Sequence, residues 1–254
     1  MDLADCLGPT FVDALAQISD AFVGENYAFA LVGATALLLH DVDLPRTTRD
    51  LDVAVAVAGG LEAIRSVLAA ADLAETSIPH RYTTRNRVEV DILAIDPTTD
   101  SPSEIRLTDG DRVEAITLPE AIEHSMRFPV GKSEVPVAPL CLLIAGKLHA
   151  GRTETRPHDL DDACAGMEAY EQGGTRRFSV NYADLPSLVF ETAGAFLAGR
   201  DTAGLLSTET KAALDASIAS LLDDRRLSDR FASGPKRRNL VSAYRLGLTM
   251  GAGT

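Results

Sequence analysis

Residues 44–60 read LPRTTRDLDVAVAVAGG. A valine- and alanine-rich run opens on two aspartates one residue apart, with an arginine and two threonines just before them. Such a run predicts a buried strand over about 50–57. Side chains on a strand alternate faces, so Asp50 and Asp52 point the same way. Two like charges that close together push one pKa up and cost stability. A divalent cation removes that cost. Mg²⁺ in particular takes one or two protein carboxylates, several waters and substrate phosphate oxygens. The pair is therefore suited to holding a metal–nucleotide complex.

A third carboxylate lies downstream. In RVEVDILAI, residues 87–95, Asp91 sits between Val90 and Ile92 in a second strand-like run. An aspartate in such a setting is rarely fully buried without a partner. If this strand lies beside the first, Asp91 joins Asp50 and Asp52, and three acids can hold two metals. One ion would activate an attacking hydroxyl and the other would steady a leaving phosphate. Glu89 shares the face of Asp91.

The bulk composition sets limits on the rest. The chain has 254 residues, 46% of them hydrophobic and 24% charged, as expected of a globular protein with a sizeable core. No apolar run reaches the roughly 18 residues that cross a bilayer. The acidic MDLADCLGPTF lacks the basic region of a secretory signal. The three cysteines, Cys6, Cys141 and Cys164, are scattered, which suggests structural thiols in a reducing cytoplasm. His40, His80, His124, His149 and His158 have no metal-ligand spacing. The net charge of −13 argues against non-specific coating of nucleic acid. Local basic groups remain at Arg81, Arg85 and Arg87, and at Lys236, Arg237 and Arg238.

Along the chain, TFVDALAQISDAFV (10–23) has helical spacing, with Thr10 as a candidate N-cap. YAFALV (27–32) predicts a short buried strand, and GATALLLHD turns into a helix at Gly33. Helices are expected at about 60–71 and from Pro119, and a strand near 112–116. PVGKSEVPVAP (129–139) reads as a Pro/Gly-rich boundary. Beyond it the pattern is helical: PLCLLIAGKLHAG, then HDLDDACAGMEAYEQG, then about 183–199, 208–222 and 239–248. The expected organisation is an α+β domain over 1–135 and a helical domain over 136–254 packed on it.

Other residues carry two readings each. Gly33, ending a strand and opening a helix, is a phosphate cradle or a plain tight turn. Arg46 and Thr48 hold phosphate, orient Asp50, or are loop residues. Lys147 interrupts an apolar helix; it donates charge to a nucleotide or snorkels to the surface. Asp159 pairs with Lys147 or favours its own helix start. Arg152 and Arg156 line a site for an anionic acceptor or are exposed helix-end residues.

The stretch LVGATALLLHDVDLPRTTRDLDV resembles the signature of the polymerase-β-like nucleotidyltransferases: an apolar strand, a small-residue turn, a helix, then Asp-x-Asp on the next strand. It is most similar to the AbiEii-like branch, toxins of type IV toxin–antitoxin and abortive-infection systems, with its GGTAL turn and RxTxDLD. Gly33, Ala34, Thr35, Ala36 and Leu37 fill the first motif; Arg46, Thr48, Asp50, Leu51 and Asp52 fill the second. Asp91 fits the third-carboxylate pattern. In KLHAGRTETRPHDLDD, Lys147, Ala150, Arg152, Arg156, Asp159 and Asp162 occupy the places of a further family segment. The resemblance covers about residues 25–165.

It implies a polymerase-β-like mixed sheet flanked by helices, followed by a C-terminal helical bundle. It also implies transfer of NMP from an NTP to an acceptor hydroxyl with two Mg²⁺ ions. The catalytic set would be Asp50, Asp52, Asp91 and Lys147, the metal ligands the three aspartates. Gly33, Ala34, Thr35, Arg46, Thr48 and Asp159 would bind nucleotide. RNA, such as a tRNA 3′ end, would be the acceptor, Arg152 and Arg156 its contacts, and a cognate antitoxin the controlling partner. One departure stands out. Ala34 replaces the family's second Gly or Ser, so the turn keeps an N–H and loses a hydroxyl, which Thr35 would supply. Two alternatives remain: a small-molecule nucleotidyltransferase of the aminoglycoside-modifying kind, which the acidic charge suits, and a nucleotide-binding module without turnover.

Overall fold

The computed structural model describes residues 8–99, 104–106, 112–228 and 230–251. Cys6 lies outside them. The chain divides into two compact units, one of Met1–His40 with Arg46–Pro139 and one of Asp41–Pro45 with Leu140–Thr254.

The first unit is built on a mixed sheet. Its helices are α1 (Pro9–Gly24), α2 (Gly33–Leu39), α3 (Gly60–Ala70) and α4 (Leu118–Glu123). Its strands are β1 (Ala28–Val32), β2 (Asp50–Ala56), β3 (Ala74–Glu75), β4 (Arg81–Thr83), β5 (Glu89–Ile95), β6 (Glu104–Arg106), β7 (Arg112–Glu114), β8 (Met126–Val130) and β9 (Ser133–Val137). Seven strands form one sheet in the order β3-β4-β5-β2-β1-β9-β8, and β6 pairs with β7 separately. β2 runs parallel to β5 and antiparallel to β1. The central strands β2 and β5 are nearly continuous apolar runs because both of their faces are covered. Leu51, Val53 and Val55 are buried with Val90 and Ile92, and α1 adds Leu15, Ile18 and Phe22. Phe22 meets Phe29 of β1 edge to face at 5.3 Å.

Three local expectations change. α1 begins at Pro9 with Gly8 as its N-cap, so Thr10 is inside the helix; proline at the first position fixes the helical φ. The stretch 129–139 is not a loop, although the division between the two units falls at its end, at Pro139. It forms most of the β8–β9 hairpin, which turns at Gly131 (φ +60°), and β9 pairs in parallel with β1 through Leu31 and Val137. Pro129 and Pro136 both keep strand positions, opposite Glu134 and Arg127. The helix expected over 183–199 starts only at Ala193, after 3₁₀ turns at Tyr182–Asp184 and Phe190–Thr192.

The second unit is helical, with α5 (Leu140–Ala150), α6 (Pro157–Ala169), α7 (Ala193–Leu205), α8 (Thr208–Leu222) and α9 (Gly234–Met250). Its core joins Leu142, Ile144 and Leu148 to Leu160, Met167, Leu197, Ile218 and Tyr244. α7 and α9 approach so closely that a Cβ on Gly199 would stand 2.0 Å from the Tyr244 carbonyl oxygen, and one on Gly247 2.0 Å from that of Phe196. Buried Thr202 fastens this crossing: its hydroxyl bonds Tyr244 Oη at 2.7 Å and donates to the Cys141 carbonyl at 3.1 Å. Among the described residues no helix is long and apolar enough to cross a membrane.

Candidate active site

β2 carries the paired carboxylates into register with β5. Asp50 lies opposite Glu89 and Asp52 opposite Asp91, so four acids share one face of two central parallel strands. The pleat and the apolar residues between them, Leu51 and Val90, fully buried, hold that face rigid.

The residues around Asp50 and Asp52 are shaped to them. Gly33 opens α2 in the left-handed region, φ +69°. A Cβ there would lie 1.9 Å from Asp52 Oδ2 and 2.8 Å from Asp52 Cβ, so only glycine leaves room for this carboxylate. Ala34 is buried just behind it. Thr35 is fully buried and donates its hydroxyl to the Asp50 carbonyl at 3.0 Å. The one hydrogen of the Thr35 hydroxyl is thus given to the start of β2 rather than to a phosphate oxygen. Thr48 donates to Asp50 Oδ1 at 3.2 Å, which orients the carboxylate. Arg46 is half-buried in the loop before β2.

The largest surprise is Arg81. Its place near Arg85 and Arg87 in the sequence suggests a basic surface patch, yet only Arg85 and Arg87 are exposed. β4 is antiparallel to β5 with Arg81 opposite Asp91. The guanidinium gives both oxygens of Asp91 a hydrogen bond at 2.7 Å, reaches Glu89 Oε2 at 3.0 Å and stands 3.5 Å from Asp50 Oδ2. The bond to Asp91 raises the Arg81 pKa; burial opposes it, and the charges of Asp91, Glu89 and Asp50 add to the rise. A signal for this was present. The turn in TRNRV is closed by Arg87 N–H to Thr84 O and Thr84 N–H to Val88 O, with Arg87 at φ +63°. A hairpin centred on Asn86 puts position 81 opposite 91.

The carboxylate oxygens of Asp50 and Asp52 are hard ligands that fit Mg²⁺. The expected three-carboxylate metal set does not fit. Among the described residues no three Asp, Glu, His or Cys side chains are placed to hold an ion together, and both oxygens of Asp91 are taken by Arg81.

In the helical unit, Lys147 of α5 meets α6. Its Nζ bonds Asp159 Oδ1 at 2.6 Å, as its sequence context suggested, and lies 3.0 Å from Oδ2 of fully buried Asp162. Burial lowers the lysine's pKa, but the charges and hydrogen bonds of the two aspartates outweigh it and leave it raised. Gly151 permits this approach: a Cβ there would lie 2.9 Å from the Leu160 backbone nitrogen. Arg152 donates to the His149 carbonyl at 2.6 Å, satisfying the end of α5. It is thus a helix cap, and of the two arginines expected to contact an acceptor only Arg156 has a mostly exposed side chain. The basic group near the C-terminus is also engaged, Lys236 with Glu168 at 2.6 Å, Arg237 with Asp161, and Arg238 with the Leu227 carbonyl.

A mixed sheet flanked by helices, with an Asp-x-Asp strand beside a third aspartate, is the nucleotidyltransferase fold. Residues 13–235 match the family described as the nucleotidyl transferase AbiEii toxin of type IV toxin–antitoxin systems. The chain belongs to this family and is a nucleotidyltransferase; the match runs well beyond the 25–165 segment whose motifs are legible. No curated protein matches it by sequence. Among solved structures it is similar to an antigenic nucleotidyltransferase-like protein from Paracoccidioides brasiliensis, with TM-score 0.50 and 14% identity over 94% of each chain. It is more distantly similar to the antibiotic-resistance factor ANT(2'')-Ia, with TM-score 0.37 and 14% identity over 70% of this chain and 95% of that one. The CD-NTase CdnG of Bradyrhizobium diazoefficiens, solved with GTP, follows at TM-score 0.34 and 12% identity over 98% and 87%. The first supports the fold; the other two are too distant to carry more.

Proposed function

We propose that the protein transfers NMP from an NTP to an acceptor hydroxyl, with Mg²⁺ held by Asp50 and Asp52. The observation that carries this reading is the rigid placement of those two carboxylates on one face of a central strand, with Gly33 cut away to admit Asp52. When bound, the metal supplies charge neutralisation of the triphosphate and of the leaving pyrophosphate. Thr35 and Thr48 fix the backbone and carboxylate of Asp50, so that metal and nucleotide meet a preformed site. The N–H groups at the start of α2 face the nucleotide's phosphates. Lys147, paired with Asp159 and Asp162 in the helical unit, is a further catalytic residue on the family resemblance of its segment.

The acceptor we propose is RNA, at a tRNA 3′ end, in the cytoplasm, with a cognate antitoxin as the restraining partner. Membership in a toxin family supports this reading. The decisive experiment incubates the protein with each α-labelled NTP and total RNA. Transfer of label to tRNA by the parent is expected, with about 10²-fold or greater loss in Asp50→Asn and Asp52→Asn. Equal labelling by parent and variants would overturn the mechanism.

A second acceptor class is favoured by charge. The net charge is −13, and the basic groups at Arg85 and at 236–238 are matched by acids or a backbone carbonyl. A cationic small molecule suits such a surface better than a polyanion does. Labelling of an aminoglycoside with none of tRNA would select it.

A further inference from the structure

We propose that Arg81 stands in for a second metal, so that this active site takes a single divalent cation. The proposal rests on the reading of Asp50 and Asp52 as metal ligands and concerns what completes their site.

Four carboxylates, Asp50, Asp52, Glu89 and Asp91, share one face of β2 and β5 in two register rows. A site with that many acids invites two divalent ions. Arg81 already lies among them. Its planar fork takes Asp91 through both oxygens at 2.7 Å, the geometry in which guanidinium–carboxylate pairs are strongest. A third bond at 3.0 Å goes to Glu89, and Asp50 lies 3.5 Å away. The guanidinium keeps its charge at any working pH. Its backbone is anchored: β4 pairs with β5 from Arg81 onward, the His80 carbonyl before it accepts from Ile92 N–H at 2.8 Å, and the Arg81 and Asp91 side chains are only 23% and 11% exposed.

The division of labour follows from exposure. Asp50, 33% exposed, is open to an incoming ion; Asp91 is at the walled side and already has its cation. An ion that claimed Asp91 would have to break two charge-assisted hydrogen bonds and leave the guanidinium crowded against a second cation. One divalent ion at Asp50 and Asp52, beside one fixed guanidinium at Asp91, meets the same need for positive charge. Arg81 is thus a positioning residue: it holds Asp91 and fixes the metal count.

The test is Mn²⁺ binding by EPR to the full chain, with the α,β-methylene analogue of each of the four NTPs in turn. One magnetically isolated Mn²⁺ per chain is expected for the parent. Arg81→Gln should gain a second ion, seen as a dipolar-coupled pair. Asp91→Asn keeps the arginine and guards against a folding defect in that variant; it should keep one ion, with affinity within about threefold of the parent. A coupled pair in the parent, reduced to one ion by Asp91→Asn, overturns the proposal and leaves the nucleotidyltransferase mechanism intact. No bound Mn²⁺ with any analogue overturns the reading of Asp50 and Asp52 themselves.

Discussion

Gly33 and Asp52 occupy each other's space: a methyl group on the glycine would lie 1.9 Å from the aspartate's Oδ2 and 2.5 Å from its Cγ. The left-handed φ of Gly33 and the pose of Asp52 are one feature. Gly33→Ala should cost about 1–2 kcal/mol from the backbone alone, with more from the displaced carboxylate. Urea unfolding should show the loss, and Mn²⁺ affinity should fall with it. A variant that binds Mn²⁺ as the parent does would separate the two residues.

Thr35 acts on Asp50 through one hydrogen bond in a fully buried setting. Thr35→Val keeps the shape and removes the donor, leaving the Asp50 carbonyl short of a partner. A stability loss of about 1–2 kcal/mol is expected, together with lower kcat at unchanged KM for NTP. Thr35→Ser should keep both near parental values.

Lys147 neutralises two aspartates that are mostly or wholly buried. Lys147→Met should destabilise by about 3–5 kcal/mol, because it takes the ammonium away from two carboxylates at 2.6 and 3.0 Å in a buried setting. Lys147→Met with Asp162→Asn should recover much of the stability and none of the activity, which separates a structural role from a catalytic one. The native pKa of Lys147 is raised. Its contribution is therefore complete below the unfolded value of about 10.4 and is lost as pH climbs through the higher native one. On the alkaline side the parent should lose stability faster than the double variant.

Gly199 and Gly247 let α7 and α9 touch backbone to backbone. Gly247→Ala gains helix propensity of about 1 kcal/mol, yet its methyl would meet the Phe196 carbonyl at 2.0 Å. Overpacking should win, with a net loss of about 1–3 kcal/mol. A midpoint at or above the parent's in thermal unfolding would count against the crossing.

Burial pushes the thiol of Cys141 up to about 11 and that of Cys164 up to about 12. Thiolate is the reactive form. In a Cys6→Ser background the native protein should release no chromophore from Ellman's reagent at pH 8, and two equivalents per chain after unfolding in urea.

Much of the site is written locally. Alternation alone puts Asp50 and Asp52 on one face, and apolar flanks make Asp91 a strand residue, because both facts depend on neighbours in the chain. Lys147 with Asp159 is legible for the same reason, one helix and the start of the next. Pro136 and Gly131, by contrast, read as loop residues beside the unit boundary at Pro139 and belong to a hairpin in the main sheet; pairing with β1, far away in sequence, overrides local composition. Thr35 looked free to bind phosphate until the fold brought the Asp50 carbonyl to it.

By itself the sequence determined which side chains carry charge, which face of its strand each carboxylate takes, and which family the chain joins. Tertiary structure decided who meets whom. Only strand register sets Asp52 beside Asp91 and Arg81 across from Asp91. Charge compensation depends on distances of a few Å between residues far apart in the chain, and those distances are fixed by pairing and packing rather than by local pattern.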